Sequence, residues 1–134
     1  MKKDKSIGKR YIKVGEAIFN RTVHVLLNHS DAEYRGWLKK CFNMDDPPEM
    51  DADKFAGRSF ELCFFDKPTE WVILVNRFDW DIKGQGTLIH EIVHTIIKIW
   101  KSNNIPYTID NQEFLAHSVA NLYEDIARKI WKLN

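Results

Sequence analysis

The sequence has few of the features that mark specialised classes of protein. Only two of its 134 residues are cysteine, Cys41 and Cys63, too few for a disulfide framework and typical of reduced thiols that pack in a core. No run approaches the roughly 18 consecutive apolar residues of a membrane span, and the basic N-terminus leads into no apolar stretch like that of a signal peptide. We therefore expect a cytoplasmic protein with no membrane partner.

An excess of charge of either sign is also missing. The 20 Lys and Arg residues nearly balance the 19 Asp and Glu residues, so the formal net charge is +1 and no global field attracts nucleic acid. We expect no nucleic-acid partner, and any partner must be recognised at a local site. The chain also lacks internal repeats and linkers, so residues 1–134 are predicted to form one domain, with residues 1–10 as a flexible basic tail.

What the sequence does contain is an alternation of β-rich runs and amphipathic segments. Two hairpins are predicted, the first from strands 11–19 and 22–27 and the second from strands 58–65 and 71–76. Helices are predicted over residues 32–42, over residues 87–101, and from a cap at Asp110 to residue 132. The order ββα ββ αα is typical of an α+β domain. Because helix 87–101 is apolar almost all round, we expect it to be buried in the middle of the domain.

This apolar helix contains the string TLIHEIVHT, which is the HExxH pattern formed by His90, Glu91 and His94. Histidines four residues apart project from one helical face, so their imidazoles can converge on a single Zn²⁺. The adjacent Glu91 is placed to take a proton from an attacking water, the general-base role of this motif in metalloproteases. The pattern therefore predicts a zinc site with Glu91 as the catalytic base.

The alternative interpretation of the motif is that both histidines are buried in the core and make their hydrogen bonds within the protein. An HExxH arises by chance in about one in a hundred shuffled chains of this composition. Three ionisable groups on the most hydrophobic helix would each cost free energy if buried without a partner, and a shared metal supplies that partner. This context favours the metal site.

A zinc site needs a third protein ligand, and Glu113 in DNQEFLAHSVANL is the candidate. The eighteen residues 95–112 that separate it from His94 are enough to finish one helix and turn back into the next. HExxH, a gap of this order and a glutamate on a second helix resemble the signature of the gluzincin metallopeptidases. The resemblance implies a zincin-like domain that binds zinc through His90, His94 and Glu113.

The run WVILVN followed by TLIHEIVH and ExxA also resembles the small HExxH metallopeptidases of bacteria, phages and other mobile elements, including the ImmA/IrrE group. That resemblance covers about the last sixty residues. The chain departs from thermolysin-like enzymes by placing His117 where they often have an aspartate that orients a zinc-bound histidine.

Several roles in the site have more than one interpretation. Asp110 followed by Glu113 also fits a capping box, in which Glu113 would bond to backbone N–H groups and bind no metal. His117 is a rival metal ligand, and it could equally orient a ligand or stabilise the oxyanion. Tyr107 and Tyr123 are further candidates for the oxyanion donor, although tyrosines at such positions more often serve packing.

The sequence as a whole predicts a hydrolase, a zinc-dependent metallopeptidase that cleaves a protein or peptide substrate. The strand that leads into the metal helix could be the sheet edge on which an extended substrate pairs, or it could be central, since its run is continuously apolar. This substrate strand comprises Trp71, Val72, Ile73, Leu74, Val75 and Asn76. The alternative function is a non-catalytic, zinc-stabilised binding module, an accessory protein of a phage or mobile element. A DNA-associated protease of the SprT-like kind is disfavoured by the balanced charge.

Overall fold

The computed structural model describes residues 7–51 and 54–132 and has the predicted α+β order. The strands are β1 (Arg10–Glu16), β2 (Arg21–Leu27), β3 (Gly57–Leu62) and β4 (Glu70–Val75). The helices are α1 (Asp31–Phe42), α2 (Ile82–Ser102) and α3 (Gln112–Lys132), and a 3₁₀ turn (Ile109–Asn111) precedes α3. Both hairpins and all three helices predicted from the sequence are present. None of the described helices is long and apolar enough to cross a membrane.

The four strands form one mixed sheet in the order β1-β2-β4-β3. Each hairpin is antiparallel, and the two hairpins join through a parallel pairing of β2 with β4, in which Val25 lies opposite Ile73. The segment between these two strands includes α1, which supplies the crossover that a parallel pairing needs.

Strand β4 lies in the middle of the sheet, so the alternative that it is central is confirmed and the alternative that it is the substrate-binding edge is wrong. It pairs with β2 on one side and with β3 on the other. The backbone of Trp71, Val72, Ile73, Leu74 and Val75 is therefore already engaged, and Asn76 follows the end of the strand with its N–H bonded to Ala56 O. The continuously apolar run reflects burial on both faces, and the edge beside β4 is instead β3.

Two apolar clusters cover the two faces of the sheet. The smaller cluster lies under α1 and includes Tyr34, Leu38, Val72 and Leu74. The larger cluster joins the other face to α2 and α3, and its members include Ile12, Val23, Val25, Leu27, Trp71, Ile73, Val75, Leu88, Ile92, Ile96, Leu122 and Ile126. Alternation along β2 and β4 divides their side chains between the two clusters.

Residues 7–10 pack against the domain, where the sequence predicted a tail. Residues 1–6 lie outside the described residues, but Ile7 is buried in the larger cluster and Lys9 pairs with Glu33 on α1. The prediction of a flexible tail is therefore wrong for residues 7–10, because an apolar side chain anchors them and Arg10 already belongs to β1. Both cysteines are free thiols on the surface, so neither is the core residue that was expected.

Candidate metal centre

Helix α2 begins at Ile82, five residues earlier than the sequence predicts, because its N-cap lies upstream of the two glycines. Asp81 is the N-cap, and its carboxylate accepts a hydrogen bond from Gly84 N at 2.7 Å. Gly84 and Gly86, which indicated an approach loop, both lie inside the helix. A Cβ at position 84 would lie 2.1 Å from Asp79 O, so only glycine fits the close approach there.

One side of α2 packs on the sheet and the other side carries the histidines. Leu88, Ile92 and Ile96 are fully buried, whereas His90 and His94 are exposed. Ile89 and Ile97 are 40% and 38% exposed, so the helix is not buried all round as predicted. The core therefore fixes the helix and holds the histidines at its outer face.

The two imidazoles converge. Their Nε2 atoms are 3.1 Å apart, and the ring centroids are 4.6 Å apart at an interplanar angle of 74°. Two nitrogens bound to one tetrahedral zinc at its usual distance would be about 3.3 Å apart. The pair therefore fits a shared metal ion, and the same separation also allows an N–H···N hydrogen bond between neutral rings.

Glu91 lies at the junction between α2 and the edge strand β3. It is only 7% exposed, and its carboxylate has no hydrogen-bond partner among the described residues. A Cβ added to Gly57 would be 3.0 Å from both Cγ and Oε2 of Glu91, so the glycine makes room for this side chain. With His90 and Lys83, Glu91 lines an open cavity of about 490 Å³.

The structure does not bring Glu113 to the histidine pair. Its side chain is 83% exposed at the start of α3, and its Oε2 lies 3.8 Å from Nε2 of His117 one turn later. Within residues 7–51 and 54–132, no three His, Cys, Asp or Glu side chains are grouped so that they could hold a metal. Glu113 and His117 thus lie close to each other and are not grouped with His90 and His94. Their roles as metal ligands stay predictions.

The predicted cap of α3 is wrong. Asp110 lies inside the 3₁₀ turn that precedes the helix, and no capping hydrogen bond to its carboxylate is found in the described part of the chain. The turn is instead held by Asn111, whose side chain donates to Pro106 O at 2.9 Å. Glu113 likewise bonds to no described backbone N–H, so the capping-box alternative has no counterpart here.

Glu113 faces an apolar groove that runs between α2 and α3. The groove has a volume of about 540 Å³, and its lining residues include Ile89, Val93, Tyr107, Glu113, Leu115, Val119 and Tyr123. Since His90 and His94 flank Ile89 and Val93 along α2, the histidine pair lies between this groove and the cavity that contains Glu91.

The two tyrosines named as oxyanion donors line the groove in different ways. The Tyr123 hydroxyl donates to Gln85 Oε1 at 3.0 Å, and its ring stacks on Trp80 with centroids 6.5 Å apart. Tyr107 is 59% exposed. The contacts of Tyr123 are those of a packing residue, and the donor role of each tyrosine stays a prediction.

A cluster of polar side chains around a third histidine, His24, lies on the other face of the sheet. Both ring nitrogens of His24 on β2 are hydrogen-bonded. Nδ1 is 2.7 Å from the Tyr11 hydroxyl, and Nε2 is 2.6 Å from Glu70 Oε1. Lys67 Nζ lies 3.0 Å from the other oxygen of Glu70. The sequence contains a sign of this placement. His24 lies between Val23 and Val25, whose side chains face α2 and α3, so alternation along the strand places the His24 side chain on the opposite face of the sheet, towards α1.

Comparison with known proteins gives no family assignment. No protein-family model, no curated protein and no solved structure matches the chain. The zincin-like fold and the metallopeptidase family named on the strength of the HExxH motif therefore stay predictions.

Proposed function

We propose that this protein is a zinc-dependent metallopeptidase whose active centre lies at His90, Glu91 and His94. The observation that carries the proposal is the convergence of the two Nε2 atoms, 3.1 Å apart, beside Glu91, whose carboxylate has no described hydrogen-bond partner and which lines an open cavity. A carboxylate that no described protein group engages is available to take a proton from water in that cavity.

In this proposal each side chain of the motif has a separate task. His90 and His94 hold the metal, and Glu113 or His117 completes the ligand set by a movement of the start of α3. Zinc, when bound, supplies Lewis-acid activation of the scissile carbonyl and of water. Glu91 takes the proton of the attacking water and passes it to the leaving amine. Packing of Glu91 against Gly57 holds the carboxylate at the cavity and restricts its rotamers.

The sheet edge next to the centre is β3, and we propose that it is the strand on which an extended substrate pairs. Gly57 at its start lies against Thr87 and Glu91, so a peptide added along this edge would pass the motif. Farther along the strand, Lys98 Nζ donates to Ser59 O at 3.0 Å and to Ser59 Oγ at 3.1 Å. This contact engages the strand at Ser59, so the first residues of β3 are the expected pairing segment.

The test is metal analysis of the purified protein together with an unbiased peptide-library digest. We expect about one zinc per chain and a cleavage activity that falls on the order of 10²-fold or more in Glu91→Gln, with the zinc content unchanged. Glu124→Gln on the outer face of α3 is the matched control and should cleave as the parent does. Absence of zinc, or a Glu91→Gln protein that cleaves as well as the parent, would remove the proposal.

A non-catalytic binding module is the second candidate, and the apolar groove favours it. The lining of the groove includes Ile89 and Tyr107, which are 40% and 59% exposed, so a partner could cover apolar surface there. In this case the protein would retain zinc but cleave no library peptide, and Glu91→Gln would leave every measured property unchanged.

A further inference from the structure

The cavity that contains Glu91 has a charged residue that the proposed reaction does not use. Its lining is formed by Phe55, Ala56, Gly57, Lys83, Gly86, Thr87, His90 and Glu91. Three of these side chains are no larger than a methyl group, which leaves room beside the motif for part of a ligand. Phe55 is 49% exposed and forms one wall. The cavity thus extends from His90 towards the first turn of α2.

Lys83 is placed on the same face of α2 as His90. The two residues are seven positions apart, and Thr87 between them fixes the local backbone by donating its hydroxyl to Lys83 O at 3.0 Å. Lys83 is exposed, and its ammonium makes no ion pair or hydrogen bond with any described residue. What distinguishes Lys83 from other lysines that are unpaired within the described part of the chain, such as Lys39, is its position in the lining of the cavity beside His90 and Glu91.

We propose that Lys83 makes this cavity a binding site for a carboxylate of the peptide substrate. The inference rests on the proposed function and adds a specificity to it. The single ammonium of Lys83 matches a monoanion such as a carboxylate, and the Lys83 end of the cavity lies about two helical turns from Glu91. The substrate carboxylate lies at the Lys83 end, away from Glu91.

Two sources supply a carboxylate of this kind, an Asp or Glu side chain and the C-terminus of the substrate. The first makes the protein an endopeptidase that selects acidic sequences. The second makes it an enzyme that removes short fragments from a free C-terminus. Both require the same contact with Lys83, so the experiment uses probes that carry one source at a time.

The probes are hexapeptide pools of uncharged residues that carry a neutral dye and differ in a single feature. One pool has a Glu and an amidated C-terminus, one has Gln and a free C-terminus, one has Gln and an amide, and one has Lys and an amide. Binding is measured by fluorescence anisotropy, with zinc-loaded Glu91→Gln protein and with metal-free parent protein. Hydrolysis therefore does not enter the readout.

We expect one of the two carboxylate pools to bind at least about fivefold more tightly than the Gln amide pool. Lys83→Ala should abolish this preference, and Lys83→Glu should reverse it towards the Lys pool. Lys39→Ala removes the same charge from an exposed position on α1 and should keep the preference. Thermal unfolding of each variant checks that the fold is intact.

Equal binding of all pools by the parent, or a carboxylate preference that survives Lys83→Ala, would overturn the inference. The experiment distinguishes failure of this inference from failure of the proposed function. Cleavage that depends on Glu91 without any carboxylate preference would support the peptidase and contradict the role of Lys83. A carboxylate preference that depends on Lys83, in a protein that cleaves no peptide, would support the role of Lys83 and contradict the peptidase.

Discussion

Two histidine sites lie on opposite faces of the same sheet, and their surroundings differ in almost every respect. His24 is 3% exposed, and both of its ring nitrogens have protein partners, the Tyr11 hydroxyl and the Glu70 carboxylate. His90 and His94 are exposed, and the only hydrogen-bond partner that each imidazole has among the described residues is the other imidazole.

The difference shows how a structural histidine can be told from a candidate ligand. The hydrogen-bonding capacity of His24 is used up within the protein, and its ring packs against Trp37 and Phe42. Such a residue has no free nitrogen for a metal or a substrate. The nitrogens of His90 and His94 instead face each other at the surface, at a separation that fits one shared ion. The glutamates differ as well, since Glu70 is paired and the Glu91 carboxylate has no described partner.

The comparison predicts a large difference in stability between alanine variants. His24→Ala should lower the free energy of unfolding by about 3 kcal/mol, because Tyr11 and Glu70 lose a buried partner and a cavity is left. His94→Ala, the matched control, should change the unfolding free energy of the metal-free protein by less than about 0.5 kcal/mol while abolishing zinc retention. Urea unfolding and metal analysis measure the two effects. Similar losses of stability in both variants would mean that His94 is also structural.

The sequence predicted local features well because they depend on short spacings. The convergence of His90 and His94 follows from a separation of four residues on a helix, and the hairpins follow from alternation and turn residues. Helix α1 lies within one residue of its predicted start, since Ser30 and Glu33 form the capping box that begins it. Its end at Phe42 is as predicted.

Features that depend on contacts between distant segments were less predictable. The place of β4 in the sheet depends on its parallel pairing with β2, which no local pattern encodes. The position of Glu113 depends on how α3 packs against α2, and the added 3₁₀ turn changes where that helix begins. Likewise, the cap at Asp81 was missed because Gly84 and Gly86 suggested a loop, whereas Gly84 is required inside the helix by close packing against Asp79.

A second variant tests whether β3 supports the candidate centre. In Gly57→Ala the new Cβ would lie 2.9 Å from Thr87 Cγ2 and 3.0 Å from Glu91 Cγ, so Glu91 has to shift. We expect a loss of about 1 kcal/mol in unfolding free energy and a fall of about tenfold in hydrolysis, because the base is displaced. At Gly15, the matched control, a Cβ meets nothing within 4 Å, and Gly15→Ala should keep both properties. Unchanged hydrolysis in Gly57→Ala would argue against a fixed Glu91.

The ionisable groups around His24 also predict how stability depends on pH. Burial lowers the pKa of His24 from 6.5, and the hydrogen bond and charge of Glu70 oppose this only in part. Burial raises the pKa of Glu70, but the hydrogen bonds from His24 and Lys67 outweigh it and leave the pKa lowered. As the pH falls through the range near 6.5, the unfolded chain takes up a proton that buried His24 resists. Protonation of Glu70 adds a further loss below about pH 4.5.

The smallest expected effect is therefore a decline in the stability of the parent between about pH 7.5 and 5.5 that is shallower in His24→Gln. Burial also lowers the pKa of His29, which contributes in the same direction, so the difference between parent and variant isolates His24. Tyr11→Phe keeps the imidazole buried and should keep the decline of the parent. The measurement is urea unfolding at several pH values. Parallel curves for the parent and His24→Gln would show that His24 gains its proton as readily in the folded protein as in the unfolded chain, and that its burial has no electrostatic consequence.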